Sequence, residues 1–315
     1  MRTLVVACLT LALVLPLGSA AYETDQFSHR LNDISDSVVL LDAKVNQTIV
    51  EIASEWQGPQ DNWAFVMAVF RRLGGYYWVD KIEKWAMQSP DIQRLQPSRR
   101  QSIYQGHPIW ASRISGIFGV GPTIRLNDQL IGTDKLGHFF SQGRKFYHRY
   151  ERTHDELRAA KQSAFTERAI FGQMTTGVFS NADLVANYEG YLFYRSLFED
   201  NIIPGKKAIL AWQGDRWIIQ RPFTWADHVN AYWDEAVNVS HYDRLLYSYI
   251  KRRLMKFCPD YRAAPDLWVS EDEKALQVRY SHLQLRDTSE LRLNILCAEI
   301  PDPAVRELEL APPRE

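Results

Sequence analysis

Cysteine is nearly absent from this chain: there are three in 315 residues and none forms a CxxC pair, which removes the commonest sequence signatures of zinc and redox sites. Net charge is lacking too. Thirty-seven basic residues face 38 acidic ones, so no overall field gathers nucleic acid or an anionic membrane. Beyond the first twenty residues, no run approaches the ~18 uninterrupted apolar residues needed to span a bilayer. There is no internal repeat, no Gly-rich phosphate loop, and neither HExxH nor GxSxG.

What is present begins at the N-terminus. Arg2 precedes the apolar run TLVVACLTLALVLPLG, which ends in Ser19, Ala20 and Ala21. A charged end, an apolar core and small residues at a cleavage point read as a cleaved signal peptide over 1–21, so the mature chain is expected in the periplasm or outside the cell. Cys8 lies inside the apolar core, away from the cleavage point, which argues against a lipid anchor. In that oxidising compartment the remaining pair, Cys258 and Cys297, is most simply a disulfide. Closing its 39-residue loop would contribute roughly 3–4 kcal/mol in the chain-entropy picture.

Periodicity predicts a mainly α, bundle-like domain over 22–257 with small β-hairpins near 123–132 and 208–220. A disulfide-tied C-terminal β segment over 258–300 packs on the same domain, and 301–315 form a loose tail. Apolar residues spaced by three and four from Phe27 to Trp56 predict one helix of about thirty residues. Further helices are expected from Asp61 as N-cap to Leu73, over 76–88, from Thr133 to about Thr153, over 155–175, over 181–200, through WADHVNAYWDEAV after Thr224, and over 242–257. Residues 91–122, punctuated by proline and glycine, read as irregular. Asn127-Asp128 and Gly214-Asp215 look like hairpin turns. The alternating stretches LQVRYSHLQL and LRLNIL predict a terminal strand pair.

The most informative stretch is IGTDKLGHFFSQGRKF, residues 131–146. On a helical wheel, Asp134, His138, Ser141, Lys145, His148, Arg149 and Arg152 share one side. Leu136, Phe139, Phe140, Gly143, Phe146, Tyr147 and Tyr150 share the other. Alone, this is an amphipathic helix with a wet face. In SNADLVANYEGYLFYRSLF, however, Asp183 and Asn187 head a largely apolar side that continues through Gly190, Tyr191 and Tyr194. A carboxylate and an amide placed there turn inward and need partners, since burying them unpaired costs several kcal/mol. The first helix offers Lys135 or Lys145 and His138, and Gly190 permits close approach of the two backbones. Asp134, His138, Asp183 and Asn187 are therefore expected in one cluster.

DKLGH at 134–138 followed by SNADLVANYEG at 180–190 resembles the DKxxH and SxxDxxxNxxG pattern of VanZ-like proteins, and the related pattern of YfiM-like putative lipoproteins. The matching positions are Asp134, Lys135, His138, Ser180, Asp183, Asn187 and Gly190. The resemblance implies a helix-pair core and an association with the cell envelope. The family's intervening Glu-x-x-Gln is not reproduced: Gln173 is present, but Ile170 stands in the glutamate position.

Three readings of the cluster stand side by side. It is a buried polar network fixing helix register, with a structural or binding role and no chemistry. It is an acid–base site with His138 oriented by Asp134 or Asp183, acting as a hydrolase of cell-envelope material. Or Asp134, His138 and Asp183 hold a divalent metal. Lys135, Ser180, Asn187 and Gly190 would then bind or position. A second candidate surface is 224–242, where Asp227, Trp233 and Asp234 place acids among aromatics in a manner suited to a glycan. The partner expected is an envelope component, whether glycan, lipid or protein, and not nucleic acid.

Overall fold

The computed structural model describes residues 23–75, 79–106, 120–168 and 177–298. The expected signal peptide at 1–21, the expected tail at 301–315, the aromatic start of the predicted 76–88 helix and the end of the predicted 155–175 helix lie outside the described residues.

The elements run β1 (Glu23–Thr24), α1 (Val38–Glu55), α2 (Asn62–Leu73), α3 (Lys81–Gln88), β2 (Val120–Gly121), β3 (Thr123–Leu126), β4 (Gln129–Gly132), α4 (Asp134–Gly137), a π-helical turn (His138–Gln142) and α5 (Gly143–Thr153). They continue through α6 (Glu156–Thr166), β5 (Val178–Phe179), α7 (Asn181–Ser196), β6 (Leu210–Gln213), β7 (Arg216–Ile219) and β8 (His241–Tyr242). The C-terminal part adds α8 (Arg244–Leu254), α9 (Cys258–Ala263), α10 (Glu273–Arg279) and α11 (Leu293–Leu296). The fold is mainly α, and its sheets among the described residues are two-stranded. No helix of the described residues is long and apolar enough to cross a membrane.

Both predicted hairpins form. Asn127-Asp128 and Gly214-Asp215 each take two consecutive positive φ angles, the geometry of the tight turn whose twist matches paired strands. Asp61 caps α2 by accepting from the Ala64 N–H at 2.8 Å. Leu41, Val45, Ile49 and Ile52 of α1 and Phe65, Val66, Val69 and Leu73 of α2 enter a main core. Phe139, Phe140, Tyr191, Phe193, Tyr194, Trp225 and Trp233 fill its centre. A second core gathers Phe27, Tyr104 and Tyr242 with α8 and the C-terminal helices. There Cys258 and Cys297 are joined in the expected disulfide, with Cα atoms 5.4 Å apart.

Three expectations are corrected. The first helix starts at Val38, not Phe27. The Asp25 carboxylate accepts from the N–H groups of Phe27, Ser28 and Ile103, and so offers the backbone an alternative to helical bonding. Residues 224–242 form two separate 3-10 turns, Trp225–Asp227 and Ala231–Trp233, in place of one helix. Here Thr224, Asn230 and Asp234 each accept from the N–H two residues on, which breaks the ladder at three points. The C-terminal strand pair is absent, and its sequence forms α10, α11 and intervening 3-10 turns. Leu276, Tyr280 and Leu283 bury a helical face through spacings of four and three, which outweighed the local alternation.

Candidate functional site

The β3–β4 hairpin carries the chain to Thr133, and α4 begins at once with the functional residues. Four residues later the helix widens into the π turn. Such one-turn insertions re-aim side chains and are frequent at functional sites. One carbonyl of the widened turn, that of Phe140, is satisfied by the Tyr194 hydroxyl at 2.8 Å. Immediately after it, Gly143 crosses Gly190 of α7 so closely that a Cβ on Gly143 would stand 2.6 Å from the Gly190 Cα. This crossing brings the N-terminal half of α7 against α4.

Ser180 caps α7, accepting from the Asp183 N–H at 3.1 Å while donating to Glu235 Oε1 at 2.9 Å. At the centre lies Lys135, fully buried. Its Nζ is 2.9 Å from Asp134 Oδ2, 2.7 Å from Asp183 Oδ1 and 2.7 Å from Glu235 Oε1. His138 Nε2 lies 3.1 Å from Asp183 Oδ2, and His138 Nδ1 lies 3.0 Å from Asn187 Oδ1. The Asn187 amide is oriented by donating to Ser163 Oγ at 3.3 Å, and Thr24 Oγ1 donates to Asp134 Oδ1 at 3.3 Å.

The electrostatics follow from these contacts. Burial opposes the charge on Lys135, but the three carboxylates overcome it and hold the ammonium well above its ordinary pKa. Burial likewise opposes a charged His138 ring, yet Asp183 raises its pKa to about 10. Both ring nitrogens face oxygens that accept, so the ring donates twice and is an imidazolium. Asp183 is held below the usual carboxylate range, since His138 and Lys135 outweigh its burial. Glu235 is pushed up by burial despite Lys135.

The acids of a surrounding ring are all pushed toward their neutral forms. Burial and the neighbouring Asp183 raise Glu167 to about 8. Burial, Asp134 and Asp80 raise Glu83 to about 8, and burial raises Asp80 to about 7 although Ser141 bonds to it. Gly137 leaves room for this ring, because a Cβ there would lie 2.9 Å from Glu83 Oε2.

Linkage gives these shifts one sign. The His138 contribution is fully present below about 6.5 and is lost as pH rises through about 10. For Glu83 and Glu167 the neutral form is favoured by folding, so their contribution is present below about 4.5 and gone above about 8. Asp183 acts oppositely, but only on acidification below the ordinary carboxylate range. Stability is therefore expected to peak near pH 5 and to fall steadily to pH 9, read as a declining urea midpoint. His138→Gln removes the part of the decline above pH 8. A midpoint that rises between pH 6 and 9 would contradict this charge assignment.

Asp134, His138 and Asp183 also bring one oxygen or nitrogen each within 4.8 Å of one another, a spacing that a divalent ion can occupy. The same atoms oppose an ion, however. The Lys135 ammonium already bridges both carboxylates, and His138 has no free lone pair until it gives up a proton held at about 10.

Of the residues predicted from sequence, Asp134, Lys135, His138, Ser180, Asp183 and Asn187 do meet, and Gly190 makes the crossing. Asp227, Trp233 and Asp234 do not join them. Asp227 pairs with Lys206 and Arg221, Trp233 is buried against Phe139, and Asp234 binds Arg30 at 2.6 Å. The 224–242 segment reaches the site through Glu235 instead. Glu235 as a direct partner of Lys135, together with Glu167, Glu83 and Asp80, was missed. The available signal was a set of acids flanked by apolar residues, as in WDEAV and KIEKWA. No protein-family model, no curated protein and no solved structure matches the chain.

Proposed function

We propose that this chain is an exported protein of the bacterial cell envelope, built on a VanZ-like helix pair, which binds an envelope component at the open edge of the Lys135–His138 centre. One observation carries the reading: both nitrogens of His138 are engaged as donors and Lys135 fills the space between the carboxylates, so the centre holds neither a free base nor an open cation position. What it offers is a rigid array of charge. Asp134, His138 and Asp183 keep side-chain exposures of 17, 19 and 11 %, so an edge of that array faces outward. Charges already fixed by partners present oxygens to a glycan hydroxyl or an amine without further ordering cost.

The hydrolase reading is supported by Glu167, a buried carboxyl that burial and Asp183 raise to about 8, which suits it to giving up a proton near neutral pH. One experiment separates the two. Purified protein is sedimented with peptidoglycan sacculi and, in parallel, with liposomes. Binding to one of them, weakened about tenfold or more in folded Asp134→Asn and His138→Gln variants, is the expected result. Variants that keep their near-UV spectrum and bind like the parent would sink the proposal. Release of soluble saccharide by the parent chain but not by Glu167→Gln would replace it with hydrolysis.

A further inference from the structure

The polar stripe that begins at Asp134 changes sign as it passes the π turn. Along α5, Arg144, Lys145, His148, Arg149 and Arg152 occupy positions i, i+1, i+4, i+5 and i+8, two adjacent ridges on one side of the helix. Helix polarity accounts for Arg152, in the last turn, because cations are favoured at a helix C-terminus. It does not account for Arg144 and Lys145, which lie two turns away from that end.

Arg144, Lys145 and Arg149 are only half exposed, and the hydrogen-bond partners of the two arginines are neutral. Arg144 lies with its Cζ 4.4 Å above the Phe70 ring, touches Met67 Sδ at 3.7 Å, and buries an Nε that has no hydrogen-bond partner. Arg149 donates to the Thr166 hydroxyl at 3.0 Å, and burial alone lowers its pKa. Neither guanidinium is ion-paired with a carboxylate among the described residues. Lys145 adds a third half-buried charge. Asp80, the acid that acts on both it and Arg144, already bonds Ser141. Burial and the guanidiniums of Arg152, Arg144 and Arg149 depress His148, the response of a ring sitting in a positive field. Trp63 closes one side, its partly exposed ring 4.7 Å from the His148 ring.

We infer that this face of α5 is an anion site for a phosphate group, either a phosphodiester headgroup of an envelope lipid or a soluble phosphate ester. Half-buried guanidiniums without an ion-paired carboxylate lose hydration and gain little counter-charge, and a phosphate restores both through paired N–H donors. Trp63 supplies an apolar wall for the group that carries the phosphate. The face lies beyond Ser141 from the Lys135–His138 centre and does not depend on what that centre binds.

Titration calorimetry of the full chain with inorganic pyrophosphate at low ionic strength tests the site. Saturable binding is expected, weakened at least tenfold in Arg144→Gln/Arg149→Gln and unchanged in Arg216→Gln, an exposed cation of the β6–β7 hairpin. Arg149→Gln alone gives the same direction should the double variant fold poorly. His138→Gln leaves pyrophosphate binding intact, so failure of this site and failure of the proposed centre are told apart. Flotation with phosphatidylglycerol vesicles assigns the source: vesicle binding displaced by pyrophosphate marks a lipid headgroup, and pyrophosphate binding without vesicle binding marks a soluble ester. No saturable pyrophosphate binding, or an equal loss in Arg216→Gln, overturns the inference.

Discussion

Lys135→Met is expected to destabilise the protein by about 3–5 kcal/mol at pH 7.5, the usual range for breaking a buried ion pair by removing one partner. Methionine fills a similar volume, so the loss is electrostatic and not a cavity effect. Asp183 keeps His138, but Asp134 and Glu235 lose the cation 2.9 and 2.7 Å away, and Glu235 is almost wholly buried. The stranded Glu235 carboxylate, already pushed up by burial, recovers by taking up a proton. The deficit should therefore shrink between pH 7.5 and pH 5, opposite to the behaviour of a packing defect, which would be nearly independent of pH. Glu235→Gln is the companion measurement. It leaves Lys135 with two carboxylates and removes a charge whose burial is already unfavourable, so about 1 kcal/mol or less is expected from it alone. Urea denaturation of both variants at the two pH values reads all four numbers. A Lys135→Met loss below about 1 kcal/mol, or one that grows on acidification, would show that the ammonium does not neutralise this cluster.

The cluster was readable in the sequence because its core obeys local rules. Asp183 and Asn187 are one turn apart at the head of an apolar side, and the cost of burying them unpaired points to His138. Lys135, offered by the sequence as an alternative to Lys145, is singled out by its reach. A wheel places Cβ atoms, and Lys135 leaves the helix about 100° from Asp134, but its four-carbon stem carries the ammonium back to the carboxylates. Glu235 was hidden by a wrong element. A continuous helix over 224–242 aligns Asp227 with Asp234. The turns capped at Thr224 and Asn230 instead send Asp234 to Arg30 and Glu235 to Lys135. The thirty-residue first helix failed in the same way, since a periodic apolar pattern carries no trace of a carboxylate such as Asp25 capturing backbone N–H groups from its own turn and from distant Ile103. The hairpins and the mainly α character survived because turn chemistry and long amphipathic runs are decided within a few residues. Capture of the backbone by a side chain, even two residues on as at Thr224, Asn230 and Asp234, leaves no mark in an apolar periodicity.

Gly190→Ala sets local and tertiary effects against each other with opposite signs. Gly190 lies inside α7, where intrinsic propensity favours alanine by about 1 kcal/mol. In the folded protein its Cβ would stand 2.0 Å from the Phe139 carbonyl oxygen and 2.9 Å from the Phe139 Cα. These are backbone atoms of the π turn, so no rotamer change relieves the clash and the helices must separate. Overpacking of this kind costs typically about 1–3 kcal/mol, and rigid backbone on both sides places this case at about 3 kcal/mol net. Separation also acts on the centre. Asn187 lies one turn and Asp183 two turns before Gly190, so the bonds that hold His138 as an imidazolium lengthen with the crossing. A thermal melt should show the loss, and the decline in stability above pH 8 should flatten as His138 loses its partners. Gly143→Ala strains the same crossing from the other side. The double variant should therefore cost less than the two single losses together, because one separation relieves both clashes. A Gly190→Ala protein as stable as the parent, or more so, would mean that the two backbones do not meet at this point and that the site geometry built on their approach is wrong.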